Sequence, residues 1–479
     1  MKYLNFNLEV FEYRVDGQTS RFRVRVSNSP AGEQTPGEAE QVSLPPDLHS
    51  RLRRLEKRTL NLDEMITLGE DLGGALFPPR VRQLYLLSHA RLQENEGLRI
   101  RLMIDSYTLT DIPWEYVYLS DGNTPPGQKR VEGFLVFNPQ ISLVRYKMIG
   151  QGLRKMEALA EERMRFVAVL SNPDQTPSLD LSAEERNLKK TLEGVPQIQP
   201  EFHLNATVEA LLEILIKPAH IFHFSGHGSF QGIDGTFGIE EGEGTLAFAD
   251  SNGKAVDFSA EKLALNLAGR GVRFAMLGAC ESGKIDQINA WTGIAPALTR
   301  AGIPAVLGMQ FKIRDSNAIA FSKILYECLV AGLTVDEAVS KGRLAILTLG
   351  DRDERDWGVP VLYLRAEEGV LFPNVQPGGG VLNQKERPIS GVSSQPAVNL
   401  RGLREAIVRS FSLEDLQILC ADIQQMLAEA GVDLQVNLDL VEGAGKTAKV
   451  QSLIGYLDRR GHLADLIKAV RDARPNIEV

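Results

Sequence analysis

The chain has 479 residues, 43% of them hydrophobic and 24% charged, with a formal net charge of −9. Such a length calls for two to four domains with cores of ordinary size. The negative balance argues against general nucleic-acid binding, no apolar run of about 18 residues offers a membrane span, and three cysteines are too few and too odd in number for a disulfide framework.

The opening residues, Met1-Lys2-Tyr3-Leu4-Asn5-Phe6-Asn7, lack the apolar stretch of a secretory signal, so a cytoplasmic protein is expected. Residues 1–45 alternate in segments such as Phe22-Arg23-Val24-Arg25-Val26 and read as strands. A loop rich in Pro, Gly and Glu follows from Ser27 to Glu40. Ser50 to about Ala90 is helical in period. Leu98-Arg99-Ile100-Arg101-Leu102-Met103-Ile104 alternates cleanly and predicts a half-exposed strand. Ile112-Pro113-Trp114-Glu115-Tyr116-Val117-Tyr118-Leu119 then supplies aromatics suited to packing.

From Arg165 the pattern becomes strand, helix, strand, helix. Phe166–Leu170 is a wholly apolar strand, and Ser182-x-x-Glu185 reads as a capping box opening a helix. A strand near Gln197–His203 and a helix from Thr207 lead to the strand ending at His227. Thr245–Asp250 and Ala255–Phe258 flank Asn252-Gly253, a hairpin signal. A helix from Ser259, a strand Val272–Leu277, a helix across Thr292–Ala301 and a strand Ala305–Met309 come next. Helices at about Ser316–Ala331 and Val335–Leu347 precede a last strand, Val359–Leu364. Short apolar strands alternating with helices imply a mostly parallel sheet covered on both faces. The expected organisation is an N-terminal α+β region over 1–155, an α/β core over 156–366, a Pro/Gly/Ser-rich linker over 367–398, and a small helical bundle over 399–479, with Ser412-x-x-Asp415 as a cap-like start.

Two strand ends carry the chemistry. Ile221-Phe222-His223-Phe224-Ser225-Gly226-His227-Gly228 presents His227, and Phe274-Ala275-Met276-Leu277-Gly278-Ala279-Cys280-Glu281-Ser282-Gly283 presents Cys280. In an open parallel sheet, functional groups gather at the carboxyl ends of strands. A free thiol ionises near pH 8.5, so a cysteine nucleophile needs a base beside it. His227 is that base, and it returns the proton to the leaving amine. The amides of Gly228 and Cys280 are candidates for holding an oxyanion.

Other motifs weigh less. His220, His223 and His227 form an H-x2-H-x3-H run. A spacing of three along an extended segment puts His220 and His223 on opposite faces, and no Cys or carboxylate completes a tetrahedron, so no metal is expected. His223 is read as packing beside the sheet. Gly443-Ala444-Gly445-Lys446-Thr447 resembles the end of a phosphate loop, but the first glycine of that pattern is replaced by Leu440, so no nucleotide cofactor is expected. Cys328 and Cys420 lie on apolar helical faces and read as core. Asp315 is either the N-cap of the helix from Ser316 or a wall of a specificity pocket.

Ser225-Gly226-His227-Gly228, Gly278-Ala279-Cys280-Glu281-Ser282-Gly283 and Gly302-Ile303-Pro304-Ala305-Val306-Leu307-Gly308-Met309-Gln310 together resemble the CHAT domain, a prokaryotic branch of the caspase-like proteases related to separase. Ile112-Pro113-Trp114-Glu115 looks like the region leading into such domains, and the likeness spans roughly residues 70–366. The interval of 53 positions from His227 to Cys280 is close to the caspase spacing of about 50. The resemblance implies a caspase-like α/β fold and cysteine endopeptidase activity, with His227 as base and Cys280 as nucleophile. Asp315 stands where separase-like enzymes have an acid for a basic P1 side chain. The position two before the nucleophile, acidic in metacaspases, is Gly278 here, and Glu281-Ser282-Gly283 departs from caspases proper. No long excisable segment separates Cys280 from the next predicted helix, so activation by cutting into subunits is not expected.

The tail segments Phe411-Ser412-Leu413-Glu414-Asp415-Leu416, Gly443-Ala444-Gly445-Lys446-Thr447-Ala448-Lys449 and Tyr456-Leu457-Asp458-Arg459-Arg460-Gly461 resemble the effector-associated, death-like domains of bacterial conflict systems. That implies recruitment by a like domain through residues 399–479. The implied substrate is a protein, such as a pore-forming or other effector proenzyme, in anti-phage defence or regulated cell death. The alternatives are a catalytically silent scaffold or signalling adaptor that has kept the fold.

Overall fold

A computed structural model of the chain describes residues 1–16, 19–120, 129–146, 156–159, 163–174, 176, 179–235, 238–278, 290–350, 354–373, 400–429, 436–437, 446–458 and 463–474. They fall into two compact units, residues 1–380 and 381–479.

The first unit opens with strands β1 (Lys2–Asp16), β2 (Thr19–Asn28) and β3 (Glu40–Ser43), then helices α1 (Leu48–Glu56), α2 (Leu62–Leu76) and α3 (Pro79–His89). Strand β4 (Glu96–Ile104), a short helix α4 (Tyr107–Thr110) and β5 (Ile141–Arg145) follow. The strand–helix alternation then runs β6 (Met164–Leu170), α5 (Leu181–Leu192), β7 (Ile198–Leu204), α6 (Val208–Ile214) and β8 (Ile221–Ser225). Next come β9 (Gly228–Gly235), β10 (Gly238–Ala249), β11 (Ala255–Ser259), α7 (Ala260–Leu267), β12 (Phe274–Gly278), α8 (Ala290–Arg300) and β13 (Ala305–Met309). Helices α9 (Asp315–Val330) and α10 (Val335–Leu349) lead to β14 (Pro360–Leu364).

Among the described residues these strands make an 11-stranded sheet in the order β3-β2-β1-β4-β5-β14-β13-β12-β8-β6-β7. Strands β7, β6, β8, β12 and β13 are mutually parallel. Strand β14 runs against β13, and β5, β4 and β1 run parallel to β14. The N-terminal strands therefore extend the same sheet in the opposite sense, with β2 and β3 reversing again. The expected fold class is what the chain adopts: a mostly parallel sheet covered by helices, plus a C-terminal helical unit.

Alternation along the central strands divides the burial. Phe166, Ala168 and Leu170, with Phe274 and Met276, pack against Leu181, Leu188 and Leu192 of α5 and Phe321, Leu325 and Tyr326 of α9. Val167 and Val169, with Phe222, Phe224, Ala275 and Leu277, pack on the other face against α6, α7 and α8 through Leu211, Leu263, Leu267, Ile294 and Leu298. Each such side chain stabilises the fold by roughly 1.5–3 kcal/mol when fully buried. Two covered faces explain why these strands read as continuous apolar runs.

Several local expectations change. Strand β4 is buried on both faces rather than half-exposed: Arg99 and Arg101 are both buried. Arg99 can be buried because its guanidinium forks onto Asp336, with Nε to Oδ1 at 2.7 Å and Nη2 to Oδ2 at 2.6 Å. Arg101 lies over the Tyr146 ring, 4.9 Å from its centroid. The α5 cap is Asp180, whose carboxylate accepts from the Ala183 amide at 2.8 Å, two positions ahead of the expected Ser182. A carboxylate is a stronger acceptor than a hydroxyl. The helices expected from Thr207 and Ser259 start there, and each of these side chains accepts from the amide three residues on. The Asn252-Gly253 turn is present, with Gly253 at φ +83°. Its strands belong to a separate small sheet, β11-β10-β9. Leu371 and Phe372, within the stretch read as linker, are buried. Residues 374–398 lie outside the described residues.

The second unit has helices α11 (Leu400–Ser410), α12 (Leu413–Glu429), α13 (Lys446–Asp458) and α14 (Leu463–Ala473). Their shared core includes Ile407, Phe411, Leu416, Leu419, Cys420, Ile423, Leu453, Leu457, Leu466 and Val470. The expected cap at Ser412 is a reciprocal pair: the Asp415 amide donates to Ser412 Oγ at 3.1 Å, and the Ser412 amide to Asp415 Oδ2 at 2.9 Å. Cys420 is buried, and burial pushes its thiol up to about 11. Among the described residues no helix is long and apolar enough to cross a membrane.

Candidate active site

Strand β8 delivers His227. Its apolar residues Phe222 and Phe224 anchor it in the sheet. The chain then turns away through Gly226, where a Cβ would stand 2.9 Å from the Ser171 carbonyl oxygen and 2.6 Å from Phe224 Cζ. Only glycine allows that approach without displacement. The His227 carbonyl accepts from the Ala247 amide at 2.9 Å, and Gly228 opens β9 opposite Leu246. The buried imidazole therefore sits where the large sheet hands over to the small one.

Strand β12 lies beside β8 in parallel register, with Gly278 paired to Ser225. His227 and Cys280 each follow their paired strand-end residue by two positions. Residues 279–289, Cys280 among them, lie outside the described residues, as does half of the expected oxyanion pair.

A residue that the sequence reading passed over meets the histidine. Asn172 follows the end of β6, and its Oδ1 is 3.4 Å from His227 Nε2. The Asn172 amide donates to Asn205 Oδ1 at 2.9 Å, and its Nδ2 points to the Leu179 carbonyl at 3.5 Å. The available signal was position: Asn172 stands just past the carboxyl end of a third apolar strand, as His227 and Cys280 do past theirs.

The other two histidines of the run have structural surroundings. His220 Nδ1 accepts from the Arg165 amide at 2.9 Å. His223 is buried beside the sheet, stacked on Phe166 with ring centroids 5.9 Å apart, its Nε2 3.8 Å from Glu184 Oε1. Among the described residues no three His, Cys, Asp or Glu side chains stand together as metal ligands. In the tail, Lys446 donates to the Phe411 carbonyl at 3.1 Å, while residues 441–445 lie outside the described residues.

Strand β13 leads into the segment expected to shape a pocket. Gln310 Nε2 donates to Glu115 Oε2 at 2.7 Å, and Glu115 also takes the fork of Arg145 at 3.1 and 2.8 Å. Glu115 of the Pro113-Trp114-Glu115 segment thus links the Gln310 side chain, just past β13, to Arg145 at the end of β5. Asp315 is the exposed first residue of α9, and the cap position is Arg314, so the N-cap reading of Asp315 does not hold. Two buried acids hold the residues on either side of it. Asp356 Oδ2 accepts from the Arg314 amide at 2.9 Å and from Asn317 Nδ2 at 3.0 Å. Glu354 Oε2 accepts from Arg314 Nη1 at 2.7 Å and from Asn317 Nδ2 at 2.9 Å.

The CHAT domain family model matches residues 67–377. The chain belongs to the CHAT domain family. A second family model, effector-associated domain 7, matches residues 403–475 of this CHAT protein. No curated protein matches the chain. Solved structures similar to it include a separase–securin complex from Saccharomyces cerevisiae, at 12% identity over 75% of this chain and 30% of that chain, with a TM-score of 0.41. Another is the Arg-specific cysteine proteinase gingipain R, at 12% identity over 63% of this chain and 70% of that chain, TM-score 0.37. The complex of pro- and mature domains of RgpB from Porphyromonas gingivalis aligns at 13% identity over 68% of this chain and 77% of that chain, TM-score 0.36. The CHAT chain thus spans less than a third of the length of the separase chain it matches.

Proposed function

We propose that the chain is a cysteine endopeptidase in which His227 and Cys280 form the catalytic dyad. The observation that carries this reading is the register of β8 against β12, which pairs Ser225 with Gly278 two residues ahead of each group. Membership of the CHAT family supports it independently.

In this reaction His227 takes the thiol proton of Cys280, and the thiolate sulfur attacks the scissile carbonyl carbon. The carbonyl electron pair moves onto oxygen, where the amides of Gly228 and Cys280 stabilise it. Collapse of the tetrahedral species breaks the C–N bond as His227 protonates the leaving amine. Water, deprotonated by His227, then attacks the thioester, and the thiol leaves with its proton restored. Asp315 receives a basic P1 side chain. The tail over 399–479 recruits the cytoplasmic enzyme to a partner carrying a like domain, in anti-phage defence or regulated cell death, with a protein such as an effector proenzyme as substrate.

The test is cleavage of a peptide and proteome library by the full chain, by Cys280→Ala and by His227→Ala, with and without the products of neighbouring genes. Cleavage by the full chain and by neither variant is expected. Cleavage that survives either substitution sinks the dyad, and a full chain silent throughout favours the scaffold reading. Asp315→Ala is expected to weaken cleavage after Arg and Lys, and a wild type that cuts only after apolar residues removes that role.

A further inference from the structure

We infer that Asn172 is the positioning residue of this site, orienting the His227 ring and setting which of its nitrogens acts as base. The inference rests on the dyad reading above and adds a third member to it.

The geometry starts from the amide. A terminal amide has one acceptor and one donor end, and neighbours decide which is which. The Leu179 carbonyl, 3.5 Å from Asn172 Nδ2, accepts only, so it must face the NH2 end. That leaves Oδ1 toward His227 Nε2 at 3.4 Å. An amide oxygen also accepts only, so Nε2 carries the hydrogen. The neutral ring then holds its lone pair on Nδ1, which becomes the basic nitrogen.

Asn172 is itself held. Its amide donates to Asn205 Oδ1 at 2.9 Å, and the Asn205 amide donates to the Leu170 carbonyl at 2.7 Å. Asn205 adopts φ +48°, a left-handed conformation that few residues other than Asn or Gly take readily. The ends of β6 and β7 are thus locked together where Asn172 leaves the sheet. Just before it, the Ser171 amide donates to the Ser225 carbonyl at 2.8 Å, and Ser171 Oγ donates to the Ala247 carbonyl at 2.8 Å. Both segments flanking His227 are therefore tied to the segment that carries Asn172. A distance of 3.4 Å is long for a hydrogen bond. Catalytic hydrogen bonds are commonly long without substrate and shorten when the imidazolium forms, because a charged donor binds more tightly.

The experiment uses the full chain and reads the rate of Cys280 alkylation by iodoacetamide at neutral pH, with peptide cleavage as a second readout. Asn172→Ala is expected to slow alkylation about 10-fold or more and to lower kcat while leaving KM near wild type. Asn172→Asp keeps an acceptor toward Nε2 and is expected to stay within about 10-fold of wild type. In the His227→Ala background, Asn172→Ala is expected to add nothing, since the two act as one unit. Asn205→Gly keeps the left-handed backbone and removes only the support of Asn172; it is expected to slow alkylation about 3-fold and serves if Asn172→Ala does not fold. An Asn172→Ala rate equal to wild type, or a further loss in the His227→Ala background, overturns the inference and leaves the dyad standing. A Cys280 that reacts equally fast in His227→Ala overturns the dyad itself.

Discussion

Arg58 and Asp356, 298 residues apart in the chain, meet at 2.5 Å between Nη1 and Oδ1. Arg58 Nη2 also donates to the Lys312 carbonyl at 2.9 Å, as does Arg355 Nη2. The segment after β13 is therefore clamped from two directions, by the end of α1 and by the residues ahead of β14. Asp356 is fully buried, whereas the Arg58 side chain is 26% exposed. Removing one partner of a buried pair leaves the others uncompensated, so Asp356→Ala should cost about 3–5 kcal/mol. Arg58→Ala should cost about 1 kcal/mol, because water reaches the pair from its side. Urea unfolding of both variants checks this, and equal losses would refute the asymmetry.

Gly226 and Gly74 make a matched comparison. A Cβ at Gly226 would meet Phe224 Cζ at 2.6 Å, while at Gly74, in α2, it meets nothing within 4 Å. Gly226→Ala should destabilise by about 1–3 kcal/mol through overpacking and should slow Cys280 alkylation by displacing His227. Gly74→Ala should stabilise by up to about 1 kcal/mol through helix propensity. Thermal unfolding that moves both variants in the same direction would contradict the packing described.

The cysteines should differ in reactivity. Burial raises the Cys328 thiol and pushes that of Cys420 up to about 11. At pH 7 a thiol of that acidity is ionised to roughly one part in ten thousand. Mass-spectrometric mapping after brief iodoacetamide treatment should find Cys280 modified well before Cys328 and Cys420. Early modification of Cys420 in the folded chain would show that its helix is not packed as described.

Asp415 gives the tail a pH dependence. Hydrogen bonds from the Ser412 amide and hydroxyl lower its carboxyl below the ordinary value. The folded state thus prefers the ionised form, so the cap contributes fully above the unfolded value of about 3.9. It is lost as pH falls through the lower folded value. Hydrogen exchange of the first α12 amides in the full chain should therefore differ between wild type and Asp415→Asn near pH 6. The difference should shrink as pH falls below about 4. A difference that persists unchanged into acid would rule out the cap as its source.

Much of the protein was legible from local pattern. Strand β13 lies over the expected residues, Ala305–Met309, helices start at Thr207 and Ser259 as their patterns imply, and the cap-like start at Ser412 is legible from a short polar side chain ahead of an apolar period. Strand β4 reads as half-exposed because its arginines look like a solvent face. Their burial depends on Asp336 and Tyr146, supplied by distant segments. The cap position of α9 is Arg314 rather than Asp315, and the acids that hold Arg314, Glu354 and Asp356, arrive from about 40 residues further along.

The amino-acid sequence by itself determined the alternation of strand and helix and the small residues that stop each strand. It also determined that an imidazole and a thiol follow two of those stops. These are local matters of side-chain period, backbone freedom and capping, read within a few residues. Only the tertiary structure decided that β8 lies beside β12, that Asn172 reaches His227, and that Arg58 closes on Asp356. Those choices depend on which apolar faces are buried together and which charges must be paired once water is excluded, and no single segment holds that information.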